Sequence, residues 1–105
     1  MSYTESRYGA ESPEAVAERL EEIRLALGWP RKKIAEAIGL SSSGWSNIQV
    51  NKQNITVQQA CELCRVAGVS TDFIYRGLLM GLTSDMEAKI LKARSAQGKK
   101  RSRRA

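Results

Sequence analysis

Residues 31–51, Arg-Lys-Lys-Ile-Ala-Glu-Ala-Ile-Gly-Leu-Ser-Ser-Ser-Gly-Trp-Ser-Asn-Ile-Gln-Val-Asn, read as two short helices joined by a tight turn. In the first half Ile34, Ala35 and Ile38 stand at i, i+1 and i+4, on one helix face, and leave Arg31, Lys32, Lys33 and Glu36 in solvent. Gly39 stops that helix, because a glycine takes the left-handed conformation a helix C-terminus asks for and lets Leu40 fold back on the apolar face. Ser41 restarts the chain as an N-cap. From it Trp45 and Ile48, three residues apart, pack inward and leave Ser42, Ser43, Ser46, Asn47 and Gln49 outward.

That outward face is polar, uncharged and made of hydrogen-bonding groups. A surface helix without a binding role carries Glu, Lys and Arg on its wet side, since those residues favour helix and keep a protein in solution. Ser and Asn are poor helix formers, yet they donate and accept hydrogen bonds at base edges in a DNA major groove. The preceding helix makes a parallel point. Arg31, Lys32 and Lys33 sit in its opening turn, where the macrodipole disfavours each cation by about 0.3–1 kcal/mol, so a phosphate backbone is their natural partner.

The spacing Ile34, Ala35, Ile38, Gly39, Leu40, Trp45, Ile48 resembles the helix-turn-helix of phage Cro and repressor proteins, the XRE family, and the similarity runs from about Pro13 to Gly77. Trp45-Ser46-Asn47-Ile48-Gln49 and Thr71-Asp72-Phe73-Ile74-Tyr75-Arg76-Gly77 resemble a subgroup with a tryptophan in the recognition helix and a closing Asp-aromatic-Ile-Tyr-Arg-Gly run. Pro30 stands in place of the usual Ser or Thr cap and Asn51 in place of a glycine. Proline tolerates a helix start and asparagine the left-handed region. The resemblance implies an all-α, five-helix, lambda-repressor-like helix-turn-helix domain that binds double-stranded DNA as a homodimer.

Length and charge agree with a nucleic-acid partner. The 105 residues make one domain with a tail. Residues 1–30 hold six Glu against three Arg, net −3, and residues 31–54 hold four cations against one Glu, net +3. Residues 55–82 balance at two and two, and residues 83–105 hold eight cations against two acids, net +6. Positive charge on the binding element and the tail suits a polyanion. There is no apolar run of about 18 residues for a membrane span and no signal-peptide pattern, so the chain is expected in the cytoplasm, which the resemblance implies is bacterial, with the chain on the nucleoid. Cys61 and Cys64 fit a reducing compartment. With no histidine and no second cysteine pair they make a poor zinc site, and they read as small core residues on the apolar side of a helix. No metal, cofactor or small-molecule substrate is expected. Nor is an enzyme, for want of a phosphate loop or a nucleophile-and-base arrangement.

Along the chain, residues 1–11 read as a loose arm. Residues 12–82 form the helix-turn-helix domain. Ser12-Pro13-Glu14 opens a helix whose stripe is Val16, Leu20, Ile23 and Leu27, with Gly28 as its stop and Glu18, Glu21 and Glu22 on its outer side. Lys52-Gln53-Asn54 make a polar loop able to hold phosphate through side chains and backbone N–H groups. Thr56 caps a fourth helix with Val57, Ala60, Cys61, Leu63, Cys64 and Ala67 as its apolar set. Ser70 caps a fifth, with Phe73 and Ile74 inward. Leu78, Leu79, Met80 and Leu82 are a further apolar run, read as a dimer interface or as a surface covered within one subunit. Ser84 and Glu87 suggest a capping box for a last helix over residues 83–97, with Met86, Ile90 and Ala93 on one face. Residues 98–105 are a basic tail, disordered alone, whose Lys99, Lys100 and Arg101 would meet phosphates, with nuclear import discounted as a rival.

The expected site thus has Ser42, Ser43, Ser46 and Asn47 at base edges and Arg31, Lys32, Lys33, Lys52, Gln53 and Asn54 on phosphates. The outcome is a small transcription regulator, a repressor by family likeness. The rival is a protein-binding module of the same fold, an antitoxin or adaptor that would use Leu78 to Leu82.

Overall fold

A computed structural model describes the backbone of residues 11–104 and the side chains of residues 11–97. The loose arm expected over residues 1–11 therefore lies, but for Glu11, outside the described residues. Six helices follow one another without a strand among the described residues: α1 (Pro13–Leu27), α2 (Arg31–Ala37), α3 (Ser42–Val50), α4 (Val57–Ala67), α5 (Thr71–Arg76) and α6 (Ser84–Arg104). The all-α fold class is as the sequence indicates: five short helices of a helix-turn-helix domain and a C-terminal helix.

Local chemistry sets most of the boundaries. The Ser12 hydroxyl accepts from the Ala15 amide at the start of α1, with Pro13 in the first turn, and Gly28 closes the helix at φ 71°. Thr56 and Gln59 form a reciprocal capping box at α4, and Ser70 accepts from the Phe73 amide at α5. The last helix departs from expectation at both ends. Its cap is Thr83, whose Oγ1 accepts from the Met86 amide at 3.1 Å, so Ser84 is already inside the helix and the Ser84–Glu87 box does not form. The backbone stays helical through residues 98–104, where the basic composition alone suggests disorder. Lys and Arg are good helix formers and lie at the favourable end of the dipole, and Gly98 alone does not outweigh them.

The core is one cluster in which Leu20, Ile23, Ile34, Trp45, Leu63, Phe73, Ile74 and Ile90 are fully buried. Helix α1 runs through its centre and touches α3, α5 and α6. Burying a Leu, Ile or Phe side chain contributes about 1.5–3 kcal/mol each, so this cluster, more than any helix propensity, holds five helices of such modest length together.

Helix α6 packs on the first helix of the domain. It lies along α1 through buried Met86 and Ile90, and Arg94 Nε and Nη2 donate to the two carboxylate oxygens of Glu22 at 2.9 and 3.0 Å. Glu22, expected on the outer face of α1, is 7% exposed because α6 covers it. The run at residues 78–82 is split by its irregular backbone. Leu79 and Leu82 pack on the core, whereas Leu78 and Met80 remain exposed, Met80 at 81%. On α4, Val57 and Cys61 face solvent, against expectation. The α5 and α2 sides of α4 claim Ala60, Leu63 and Ala67, and an eleven-residue helix has no second buried face for the others.

Candidate nucleic-acid interface

The turn between α2 and α3 determines what α3 presents. Ile38 ends α2; Gly39, at φ 78°, donates to the Glu36 carbonyl, and Leu40 donates to the Ala35 carbonyl at 2.8 Å. This crossed pair is a Schellman cap, and it turns Leu40 back onto the core. Leu40 then lies over Gly44, where a Cβ would stand 3.0 Å from Leu40 Cδ2, so the residue type at 44 lets the two helices close up. The Ser41 hydroxyl accepts from the Gly44 amide and starts α3.

Two side chains fasten α3 from behind. Trp45 is 1% exposed and Ile48 is buried beside it. The Trp45 indole N–H meets no acceptor among the described residues, a cost of about 1–3 kcal/mol that the large apolar ring must offset. A third fastening corrects the sequence reading: Gln49 does not face outward, since its Nε2 donates to the Ala17 carbonyl of α1 at 3.1 Å. Nothing in the local sequence separates this glutamine from its polar neighbours; the acceptor comes from a residue 32 positions away.

Ser42, Ser43, Ser46 and Asn47 are all exposed. Asn47 is also held in place, because its Oδ1 accepts from Asn51 Nδ2 at 2.9 Å and its backbone carbonyl accepts from the amides of Asn51 and Gln53. The loop behind α3 is thereby folded against the helix end. The Gln53 amide, expected to be open to phosphate, is used in that closure. Asn51, placed by expectation in the left-handed region, has φ −93°, and the left-handed residue is Lys52 at φ 58°. Its Nζ donates to the Gln49 carbonyl at the helix end, a contact that helps a lysine hold a conformation costing about 1–2 kcal/mol.

The phosphate candidates flank α3 along the chain. Arg31, Lys32 and Lys33 are exposed at the uncapped start of α2, and Lys52, Gln53 and Asn54 are exposed directly behind α3. Lys33 lies over the Trp29 ring, 4.6 Å from its centroid, and Arg31 Nη2 reaches Glu21 at 4.0 Å. These are weak, solvent-exposed contacts that orient the cations without neutralising them. The side chains of Lys99, Lys100 and Arg101 lie outside the described residues.

Sequence patterning does not single out Val50, the last residue of α3, which is 74% exposed. At 100° per residue it falls between Ser46 and Ser43 on the outward arc. Its apolar character conceals this; its register against Ser42 reveals it.

Among the described residues no three or more His, Cys, Asp or Glu side chains gather as a metal site would need. Cys64 is half-buried, and burial, with the neighbouring Cys61, raises its pKa, so it stays a neutral thiol. No helix among the described residues is long and apolar enough to cross a membrane.

No family model matches the chain, and no solved structure does. Over 60 residues the chain is 28% identical to an SPbeta prophage-derived HTH-type transcriptional regulator, YonR, of Bacillus subtilis (strain 168). The similarity takes in 57% of this chain and 56% of that protein, so the match spans little more than half of each.

Proposed function

We propose that the chain is a small transcription regulator of the Cro and repressor type that binds double-stranded DNA sequence-specifically in the bacterial cytoplasm. Helix α3 enters the major groove. Ser42, Ser43, Ser46 and Asn47 meet base edges, and Arg31, Lys32, Lys33, Lys52, Gln53 and Asn54 fix the register on phosphates. One observation carries this reading: the outward arc of α3 is exposed, uncharged and rich in hydrogen-bonding groups, while Trp45 and Ile48 anchor its other side. A helix kept on the surface merely for solubility would carry charge there.

The working form is a homodimer, joined through Leu78 and Met80 with Leu79 and Leu82 beneath them, and it represses by occupying its site. A dimer places two recognition helices about one DNA turn apart, so its site is an inverted repeat. Lys99, Lys100 and Arg101 add sequence-blind attraction.

The test is selection of bound duplexes from a random pool, followed by sedimentation of the protein with and without the winning duplex. The expected winners share an inverted repeat bound by two chains. A pool with no enrichment would sink the reading. The exposed Met80 and Leu78 favour, as a second reading, an adaptor or antitoxin that docks a protein there. Retention of no duplex in a gel shift would favour it.

A further inference from the structure

Among the described residues seven large apolar side chains are exposed: Leu25, Val50, Val57, Val66, Leu78, Met80 and Leu91. Most have an ordinary explanation, as scattered apolar residues on a wet surface do. Val50 does not. It lies on the arc of α3 otherwise made of Ser42, Ser43, Ser46 and Asn47, and it projects between two of those serines. A β-branched residue on the open side of a short helix forms helix less well than alanine would, and at 74% exposure its two methyl groups gain little burial in return.

We infer that Val50 reads a thymine, by seating its methyl groups against the thymine C5-methyl in the major groove. The inference rests on the proposed function and deepens it. Of the groups on the floor of that groove, the thymine methyl is the apolar one, and apolar side chains are its recognised partners. Eight residues separate Val50 from Ser42, about 12 Å along the helix axis at 1.5 Å per residue, which corresponds to about three to four base pairs. One helix can then question hydrogen-bonding bases near its start and a thymine near its end. Serines are permissive partners, bonding to several bases, so a methyl contact adds discrimination that they cannot supply.

The experiment takes the duplex recovered by selection and replaces each thymine singly by deoxyuridine, which removes the methyl and nothing else. Affinities are measured for the wild-type chain, Val50→Ala and Val57→Ala. In the wild type and in Val57→Ala, one thymine per half-site becomes about fourfold weaker when its methyl is deleted, the worth of one buried CH2-sized group. In Val50→Ala, whose single methyl reaches less far into the groove, that same replacement costs distinctly less. Since Val50 is exposed and alanine is the better helix former, Val50→Ala unfolds at the same urea concentration as the wild type or a slightly higher one, so a folding defect cannot imitate the result.

A flat uracil scan in the wild type, or equal losses in wild type and Val50→Ala, overturns the inference while leaving the DNA-binding reading intact. A wild-type chain that enriches no duplex overturns both.

Discussion

Asn47 shows how a single side chain can be aimed by its neighbours. With Asn51 Nδ2 fixed on its Oδ1, the amide plane has one orientation, and the Nδ2 side and the second Oδ1 lone pair remain for a base. An asparagine so placed can bond an adenine through two atoms. Asn47→Ala is therefore expected to lose about 1–3 kcal/mol at one base position and to leave non-specific binding almost unchanged. Competition gel shifts with single-base variants check this, and equal losses on every sequence would remove Asn47 from the base-reading set. Trp45 is the opposite case, a residue 1% exposed that fastens α3 from behind and so sets which side chains the helix presents. Trp45→Ala is expected to cost about 3–5 kcal/mol in urea unfolding. That is a large share of the roughly 5–15 kcal/mol typical of a whole domain, so the variant should unfold at a markedly lower urea concentration than the wild type.

At the scale of elements, the chain announces what is decided within a few residues and hides what is decided by distant ones. The caps Ser12, Ser41, Thr56 and Ser70 and the stops Gly28, Gly39, Gly68 and Gly77 are legible because capping is a conversation between near neighbours. So is the outward turn of the α3 serines, fixed by Trp45 and Ile48 at helical spacing. Glu22 and Gln49 are not legible, since each depends on whether another helix happens to lie alongside, and Val50 is legible only from its register against Ser42. Glu22 has α6 above it and Gln49 has α1 below it, while Val50 has neither. The Glu22–Arg94 pair gives this lesson a measurable form. Arg94→Ala takes from a covered carboxylate the guanidinium bonded to it and is expected to cost about 1–3 kcal/mol in urea unfolding. The figure lies below that of a fully buried pair because the Arg94 side chain is 45% exposed. Unchanged stability would mean that α6 is held by Met86 and Ile90 alone.

For the molecule as a whole, charge is the quantity that matters at a distance. The net −3 of residues 1–30 is set against the net +3 of residues 31–54 and the net +6 of residues 83–105, so charge is unevenly placed along the chain, although Glu22 and Arg94 bring the acidic and basic segments together in the fold. A polyanion approaching within a Debye length, about 8 Å at physiological salt, meets this asymmetry before it meets any hydrogen bond. Removal of Lys99 to Ala105 is expected to flatten the salt dependence of DNA binding by up to about 0.9 log unit for each phosphate that those cations neutralise. Affinity titrations between low and physiological salt measure that slope, and an unaltered slope would show that this end of α6 never touches DNA.

The bond from Gln49 to the Ala17 carbonyl carries one more consequence. It ties α3, the segment proposed to probe the groove, to the same rod on which α5 and α6 are mounted, so the helix is held in one orientation without a ligand. On the proposed reading, little internal freedom of α3 is surrendered on docking, and any adjustment of fit falls to the shape of the DNA.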